Sequence, residues 1–276
     1  MSHNAEDLFG LKEKVICVTG GAGVLGAELV KGFANLGAKV AILDKDMSAA
    51  SLLCDTLREE ENSVIAVKTD VLEKKSIIES VDEVLGLFGD IDILVNGAGG
   101  NSPLATTGTQ NPFFDLPKDA LQFVFDLNIM GTILPSQIMG KHFAEKGEGV
   151  ILNISSMNAF RPLTKIAAYS AAKAGVSNFT QWLSVHMARE YSPKIRVNAI
   201  APGFFLTKQN EFLLIDSKTK KMTPRGEAII NHIPAGKFGK PEQLVGTAIW
   251  LLSSAAEYVT GVVVPVDGGF SAYSGV

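Results

Sequence analysis

Hydrophobic positions fall along this chain in two alternating rhythms. Short, continuous apolar runs rich in Val, Ile and Leu recur at 14–20 (KVICVTG), 39–43 (KVAIL), 63–70 (SVIAVKTD), 91–96 (IDILVN), 149–155 (GVILNIS), 194–203 (KIRVNAIAPG) and 261–269 (GVVVPVDGG). Runs without polar alternation predict strands buried on both faces, as in a parallel sheet. Between them the spacing turns helical. It does so from about Val24 until Gly37 stops it, and again from about Glu73 to Phe88, where Ile77, Ile78, Val81, Val84 and Leu85 share a face. One long amphipathic helix is predicted over 119–147, another around 169–173, and a last one from about Pro241 to Ser253. Seven strands alternating with helices predict an α/β fold with a doubly wound parallel sheet, order 3-2-1-4-5-6-7 and helices on both faces. No linker divides residues 1–276, so a single domain is expected, with its ligand crevice at the carboxyl ends of the strands.

Two stretches break the rhythm. Residues 99–117 (GGNSPLATTGTQNPFFDLP) are long and nearly uncharged for a loop and are read as one wall of a substrate pocket; a plain surface excursion would look the same. Residues 205–240 hold seven Lys or Arg against three acids, net +4, in a chain whose overall charge is −4. That asymmetry suggests a lid over an anionic substrate, or else a solvated charged face. The overall charge argues against general nucleic-acid binding. No apolar run is long enough to span a membrane, and the N-terminus lacks signal-peptide character. Cys17 and Cys54 share no motif spacing, and His3, His142, His186 and His232 show no metal-ligand spacing, so no metal and a reduced cytoplasmic compartment are expected.

Candidate chemistry gathers where predicted strands end. The first strand runs into a glycine-rich turn and a helix, and a helix start of this kind offers free N–H groups to an anion. The second strand ends on Asp44, a carboxylate placed to accept the hydroxyls of an adenosine ribose and to repel a 2′-phosphate, which favours NAD over NADP. Tyr169 and Lys173, four residues apart, share one helix face. Ser156 lies thirteen residues earlier, at the end of the fifth strand. A hydroxyl, a phenol and an ammonium together can transfer a proton to a carbonyl or from an alcohol. A nearby cation favours the phenolate of a group that titrates near pH 10 unaided. An ordinary amphipathic helix with a rim tyrosine also fits the spacing of those two residues alone. Asn128 sits among apolar neighbours and needs buried partners.

With these motifs in order (TGGAGVLG at 19–26, Asp44, Asp70, NGAG at 96–99, Asn128, Ser156, YSAAK at 169–173, PGFFLT at 202–207, VDGG at 266–269), the chain resembles the short-chain dehydrogenase/reductase family over nearly its whole length. The resemblance implies a Rossmann-type domain and a hydride-transferring oxidoreductase. Asn128, Ser156, Tyr169 and Lys173 would be catalytic: Tyr169 the general acid/base, Ser156 a donor to the substrate oxygen, Lys173 the ribose ligand that lowers the Tyr169 pKa, and Asn128 the holder of a relay water. Cofactor contacts would come from Gly20, Gly23, Val24, Leu25, Gly26, Asp44, Asp70, Val71, Asn96, Ala98, Gly99, Pro202, Gly203 and Thr207, besides Tyr169 and Lys173. Two positions depart from the family pattern: Val24 replaces a glycine, and Gly97 stands in what is often Asn-Asn-Ala-Gly.

Within the family, GGNSPLATT, FFDLP, PGFFLTKQN, TPRGEAIINHIPAGKFG and VVPVDGGFSAYSGV most resemble sugar-acid reductases of the fructuronate (D-mannonate) type. They imply a small anionic substrate, with Arg161 and Arg225 as carboxylate ligands and Asn101, Ser102 and Asn158 as hydroxyl ligands. A homotetramer built partly through the helices bearing Asn128 and Tyr169 is also implied. Rival readings are a gluconate 5-dehydrogenase, a 3-oxoacyl-carrier-protein reductase, and a dinucleotide-binding scaffold without turnover.

Overall fold

The seven apolar runs form seven strands of one parallel sheet: β1 Val15–Thr19, β2 Lys39–Asp44, β3 Val64–Lys68, β4 Ile93–Asn96, β5 Gly149–Ile154, β6 Ile195–Pro202 and β7 Val263–Val266. Their order is β3-β2-β1-β4-β5-β6-β7, as the sequence predicts. The computed structural model describes residues 4–206, 214–216 and 219–275. Strand side chains point alternately to opposite faces. Ile16 and Val18 of β1 therefore join one core with Leu29, Phe33 and Leu251, while Val15 and Cys17 join a second with Leu94, Phe143 and Leu183. A strand with a core on each side has no polar alternation to show, and that accounts for the unbroken apolar runs.

The helices are α1 Ala5–Phe9, α2 Val24–Ala34, α3 Met47–Glu59, α4 Lys74–Phe88, α5 Lys118–Phe125, α6 Gly131–Lys146, α7 Ala167–Glu190, α8 Pro224–Ile230 and α9 Val245–Leu252. Two differ from expectation. The connection from β2 to β3 holds α3, a helix not foreseen; Asp46 caps it, its Oδ1 accepting the Ala49 N–H at 3.1 Å. The single helix expected over 119–147 is instead α5, a widened π-turn at Asp126–Met130, and α6. Gly147, in the left-handed region at φ 81°, ends α6 and lets the chain enter β5.

The loop at 99–117 is more ordered than its composition suggests. It contains short 3₁₀ turns at Pro103–Ala105 and Phe113–Asp115, and Asn111 Nδ2 donates to the Leu104 and Thr106 carbonyls at 3.1 and 3.0 Å. The Thr107 N–H donates to the Lys165 carbonyl at 2.9 Å, tying the loop to the approach to α7. In the 205–240 stretch, α8 and isolated bridges from Phe205 to Gly239 and from Ile215 to Met222 are described. Residues 207–213 and 217–218, with Thr207, lie outside the described residues.

The sheet's amino-terminal edge is fastened by two cations, Arg196 buried and Lys146 half-buried. The Arg196 guanidinium donates to the carbonyls of Leu251, Leu252 and Ser253 at 2.8–3.3 Å, satisfying the carbonyls that α9 leaves open at its end. Lys146, at the end of α6, binds Asp90 at 2.5 Å and Asp92 at 2.7 Å, and His142 Nε2 lies 2.9 Å from Asp90. Burial pushes the Asp90 carboxyl up, but hydrogen bonds from Lys146 and His142 outweigh it and hold the pKa down at about 2. Because this pKa is depressed, the contribution is complete above the ordinary value of 3.8 and is lost as pH falls toward about 2. Lys146→Met is expected to cost roughly 1–2 kcal/mol at neutral pH, discounted for the partial exposure of Asp90. Denaturation followed by circular dichroism should show the gap between variant and parent closing between pH 4 and pH 2.

Candidate active site

The carboxyl ends of β1 and β4 approach so closely that only glycine fits between them. Gly20 follows β1 in the left-handed region (φ 63°), and a Cβ there would lie 2.8 Å from the Ala98 Cα. Thr19 Oγ1 accepts the Gly97 and Ala98 N–H groups at 3.2 and 3.3 Å, locking the two tips. Gly26, in the first turn of α2, rests on the Gly20 carbonyl: an added Cβ would fall 2.3 Å from that oxygen. The glycine turn therefore stays flat, and the start of α2 opens on a cleft of about 810 Å³. Val24 begins α2 and lines the cleft with Gly23 and Leu25. The family-pattern departure at Val24 leaves Gly23 as the close-approach position, where a Cβ would meet the Gly20 carbonyl at 3.2 Å.

Asp44 reaches this cleft from β2. Its Oδ2 accepts the Ala22 N–H and its Oδ1 the Asp46 N–H, both at 3.0 Å, so the carboxylate first anchors the glycine turn. A carboxylate offers about four acceptor positions, which leaves two for a diol. Asp70 and Val71 line the far end, with Asp70 Oδ1 accepting the Leu72 N–H at 3.0 Å. Ala98, Gly99 and Gly203 line the near end. Pro202 ends β6, and Gly203 lies so close to Asp267 that a Cβ would come within 2.6 Å of it. A flat turn, free helix N–H groups, a terminal carboxylate and glycine walls suit a dinucleotide. Asn96 does not belong with these residues. Its side chain is buried beneath the cleft, where its Nδ2 donates to Ser136 Oγ at 2.9 Å and Asn153 Oδ1 at 2.8 Å. The physical reason is strand alternation, which turns position 96 away from the cleft.

The proton-transfer groups converge beyond the tip of β5. Ser156 is buried at the start of a short turn, Met157–Ala159, that leads toward α7. Lys173, on α7, is buried as well; its Nζ donates to the Ile154 carbonyl at 2.7 Å and lies 5.7 Å from the centre of the Tyr169 ring. A Cβ on Gly99 would lie 3.1 Å from Lys173 Nζ and 2.9 Å from Asn128 Oδ1, so these groups surround one glycine. Asn128 sits in the π-turn between α5 and α6. Its Nδ2 donates to the Gly100 and Val124 carbonyls at 2.7 Å each, and its Oδ1 accepts the Gly100 N–H at 3.2 Å. Ser155 also helps to seat α7: it donates to the Lys173 carbonyl at 3.1 Å and pairs with Ser177 at 2.7 Å. Sequence reasoning missed Ser155 and Thr19, because a buried hydroxyl in an apolar run carries no pattern of its own.

Burial is the largest influence on the charge of both groups. Burial pulls Lys173 down to about 8. Burial raises the Tyr169 phenol above its ordinary value, and the group that pulls it back is Ser156, through a hydrogen bond. The Lys173 ammonium itself is held on the Ile154 carbonyl, 5.7 Å from the centre of the Tyr169 ring.

The remaining expected substrate residues divide. Asn101 Nδ2 donates to Thr106 Oγ1 at 2.9 Å, and Ser102 Oγ accepts the Leu104 N–H at 3.3 Å, so both shape the loop wall. Arg161 Nε donates to the Ser271 carbonyl at 3.2 Å, which turns the guanidinium toward the C-terminal segment. Arg225 is exposed on α8. Asn158 is buried, and its amide is committed to neighbours within the turn after β5.

The short chain dehydrogenase family model matches residues 14–216. An uncharacterized oxidoreductase of Haemophilus influenzae is 46 % identical over 277 residues, covering 96 % of each chain. A crystal structure from the same species, described as that of a candidate D-mannonate oxidoreductase with bound NAD, superposes with a TM-score of 0.91 at 45 % identity, covering 97 % of this chain and 98 % of that one. The 5-keto-D-gluconate 5-reductase of Escherichia coli K12 is 32 % identical, covering 95 % of this chain and 97 % of its own. With the cleft, the convergent Ser156, Tyr169 and Lys173, and these likenesses in place, the chain belongs to the short-chain dehydrogenase family and is an oxidoreductase acting on alcohol or ketone substrates.

Proposed function

We propose that this chain reduces the C5 ketone of a sugar acid with NADH, taking D-fructuronate to D-mannonate, and catalyses the reverse oxidation with NAD. The observation that carries the reading is that Tyr169 has Ser156 and Lys173 as neighbours, with the Lys173 ammonium against Gly99, which lines a dinucleotide-sized cleft. The sugar-acid assignment is supported by the likeness to the Haemophilus influenzae structure and by the net +4 of residues 205–240. Asp44 supports NAD over NADP, because a carboxylate there repels a 2′-phosphate.

When bound, NADH supplies the hydride. Ser156 donates a hydrogen bond to the ketone oxygen, polarising it, and Tyr169 delivers the proton to that oxygen as it becomes an alkoxide. Lys173 would hold ribose hydroxyls with its ammonium, and Asn128, fixed on Gly100, keeps the wall beside it in place. Thr207 would contact the carboxamide. Arg161 or Arg225 would pair with the substrate carboxylate. The second reading, a gluconate C5 enzyme, is favoured by the 32 % identity to the 5-keto-D-gluconate 5-reductase. A panel of hexuronates and keto-gluconates, run with NADH and with NADPH, separates the two. Binding of cofactor without turnover of any member would favour a scaffold instead.

We also infer a homotetramer. Its support is the groove between α6 and α7, about 640 Å³, lined by Ile133, Ala144, Phe179, Trp182 and Tyr191, with Trp182 56 % exposed. Light scattering of the purified chain reads the mass directly.

Three outcomes follow from these roles. Tyr169→Phe should lose about 10²–10⁴-fold in kcat while NADH affinity stays within about threefold, measured by steady-state kinetics and fluorescence titration. Gly26→Ala should do the opposite, weakening NADH binding by about tenfold or more because the new methyl displaces the Gly20 carbonyl. The oxidative rate should rise with pH as the phenol of Tyr169 ionises, and the reductive rate should fall over the same range, since it needs the protonated phenol.

A further inference from the structure

The geometry points to Asn158 as a positioning residue that forces the Ser156 hydroxyl to act as a donor. A serine hydroxyl has one proton and two acceptor positions. Both acceptor positions of Ser156 are taken by the same residue: the Asn158 backbone N–H at 3.2 Å and its side-chain Nδ2 at 3.1 Å. The orientation of that amide is fixed from its other side. The Leu163 backbone N–H, which can only donate, lies 3.2 Å from Asn158 Oδ1, and Ser170 Oγ lies 3.5 Å from the same oxygen. The oxygen of the amide therefore faces Leu163 and its nitrogen faces Ser156. Both Ser156 and Asn158 are 6 % exposed, so bulk water does not compete for these bonds.

With two N–H groups on its oxygen, the Ser156 hydroxyl has only its proton left to offer. Tyr169 is the neighbour that feels this proton: the hydrogen bond from Ser156 pulls its phenol back part of the way from the raised pKa that burial imposes. When a ketone oxygen arrives, the same proton is aimed at it. A hydroxyl free to rotate would accept as readily as it donates, and would donate to the reacting oxygen for only part of the time. Asn158 removes that freedom without touching substrate. It lies beside the reacting group but serves it through Ser156, in place of the sugar-hydroxyl contact its position in the sequence suggested.

This inference rests on the assignment of Ser156 and Tyr169 to carbonyl reduction, and the test separates the two. Tyrosine labelled with ¹³C gives four signals, one for each tyrosine of the chain, and Tyr169→Phe identifies the one that matters. In Asn158→Ala the Tyr169 titration should move up by about half a unit or more, and in Ser156→Ala by at least as much. The double variant should match Ser156→Ala, because an effect exerted through Ser156 vanishes without it. On whichever sugar acid the parent turns over, Asn158→Ala should lower kcat by about tenfold or more with KM within about threefold. Asn158→Asp keeps the shape and the Leu163 contact but turns a donor into an acceptor. Its kcat relative to the parent should recover as pH falls and the new carboxyl regains a proton to donate.

An unmoved Tyr169 titration in Asn158→Ala overturns the inference. So does an effect of the same size in the Ser156→Ala background, or a rise in KM at constant kcat, which would make Asn158 a direct substrate ligand. Should Asn158→Ala not fold, Asn158→Asp takes its place, with the Ser156→Ala background subtracting the field of the added charge. If the parent turns over no sugar acid, the assignment of function fails while the phenol titration still decides the role of Asn158.

Discussion

A buried ammonium without a carboxylate is the constraint around which this site is built. Lys173 is almost fully enclosed, yet its one hydrogen-bond acceptor among the described residues is the Ile154 carbonyl. A cation in that position is costly unless dipoles surround it. The carbonyl at the end of β5 takes the ammonium, and the amide oxygen of Asn128 shares with it the small volume beside Gly99. Any side chain at position 99 would occupy that volume, so the glycine, the amide and the ammonium have to be arranged together. The arrangement needs β4, β5, the π-turn and α7 in register, which makes the proton-transfer set a product of the whole sheet.

The sheet provides the register because its interior is apolar on both faces and its polar groups are at its tips. Thr19 locks β1 to β4, Ser155 ties β5 to α7, and the Asn153 amide donates to Thr180 on α7 at 2.9 Å. The last two of these bonds are buried, so breaking either leaves an unsatisfied polar group. The three together place the glycine turn, the phenol and the ammonium on one edge.

Most of this was legible in the sequence, for a definite reason. Strands with a core on each face must be apolar throughout, so runs such as VICV and AIL announce themselves. A turn with no room for a Cβ must be glycine, so Gly20 and Gly26 do too. The spacing of Tyr169 and Lys173 is a helical repeat and could be read directly. What escaped was decided by partners distant in sequence or by geometry that leaves no periodic trace. The helix α3 has its apolar face in Ala50, Cys54 and Leu57, a stripe too thin to stand out. Asn96 and Asn158 looked like ligand contacts because they are polar residues near motif positions. In the structure both are buried: the Asn96 amide nitrogen donates to Ser136 and Asn153, and the Asn158 amide is held by Ser156 and the Leu163 N–H. The bond from the Lys173 ammonium to the Ile154 carbonyl joins residues on different elements and has no mark in the spacing either.

The widened turn at Asp126–Met130 has a consequence for how one segment serves two cores. Each residue advances a helix by about 100°, so a turn that takes up one extra residue changes the phase of everything after it. On one side of it, Ala120 and Val124 of α5 pack with Ala105 and Ala168, close to Tyr169; on the other, Met139 and Phe143 of α6 pack on the sheet. An unbroken helix of regular pitch would turn one of these stripes toward solvent. Deleting a single residue from this turn would thus rotate the outer wall of the site out of alignment while leaving every catalytic side chain in the sequence.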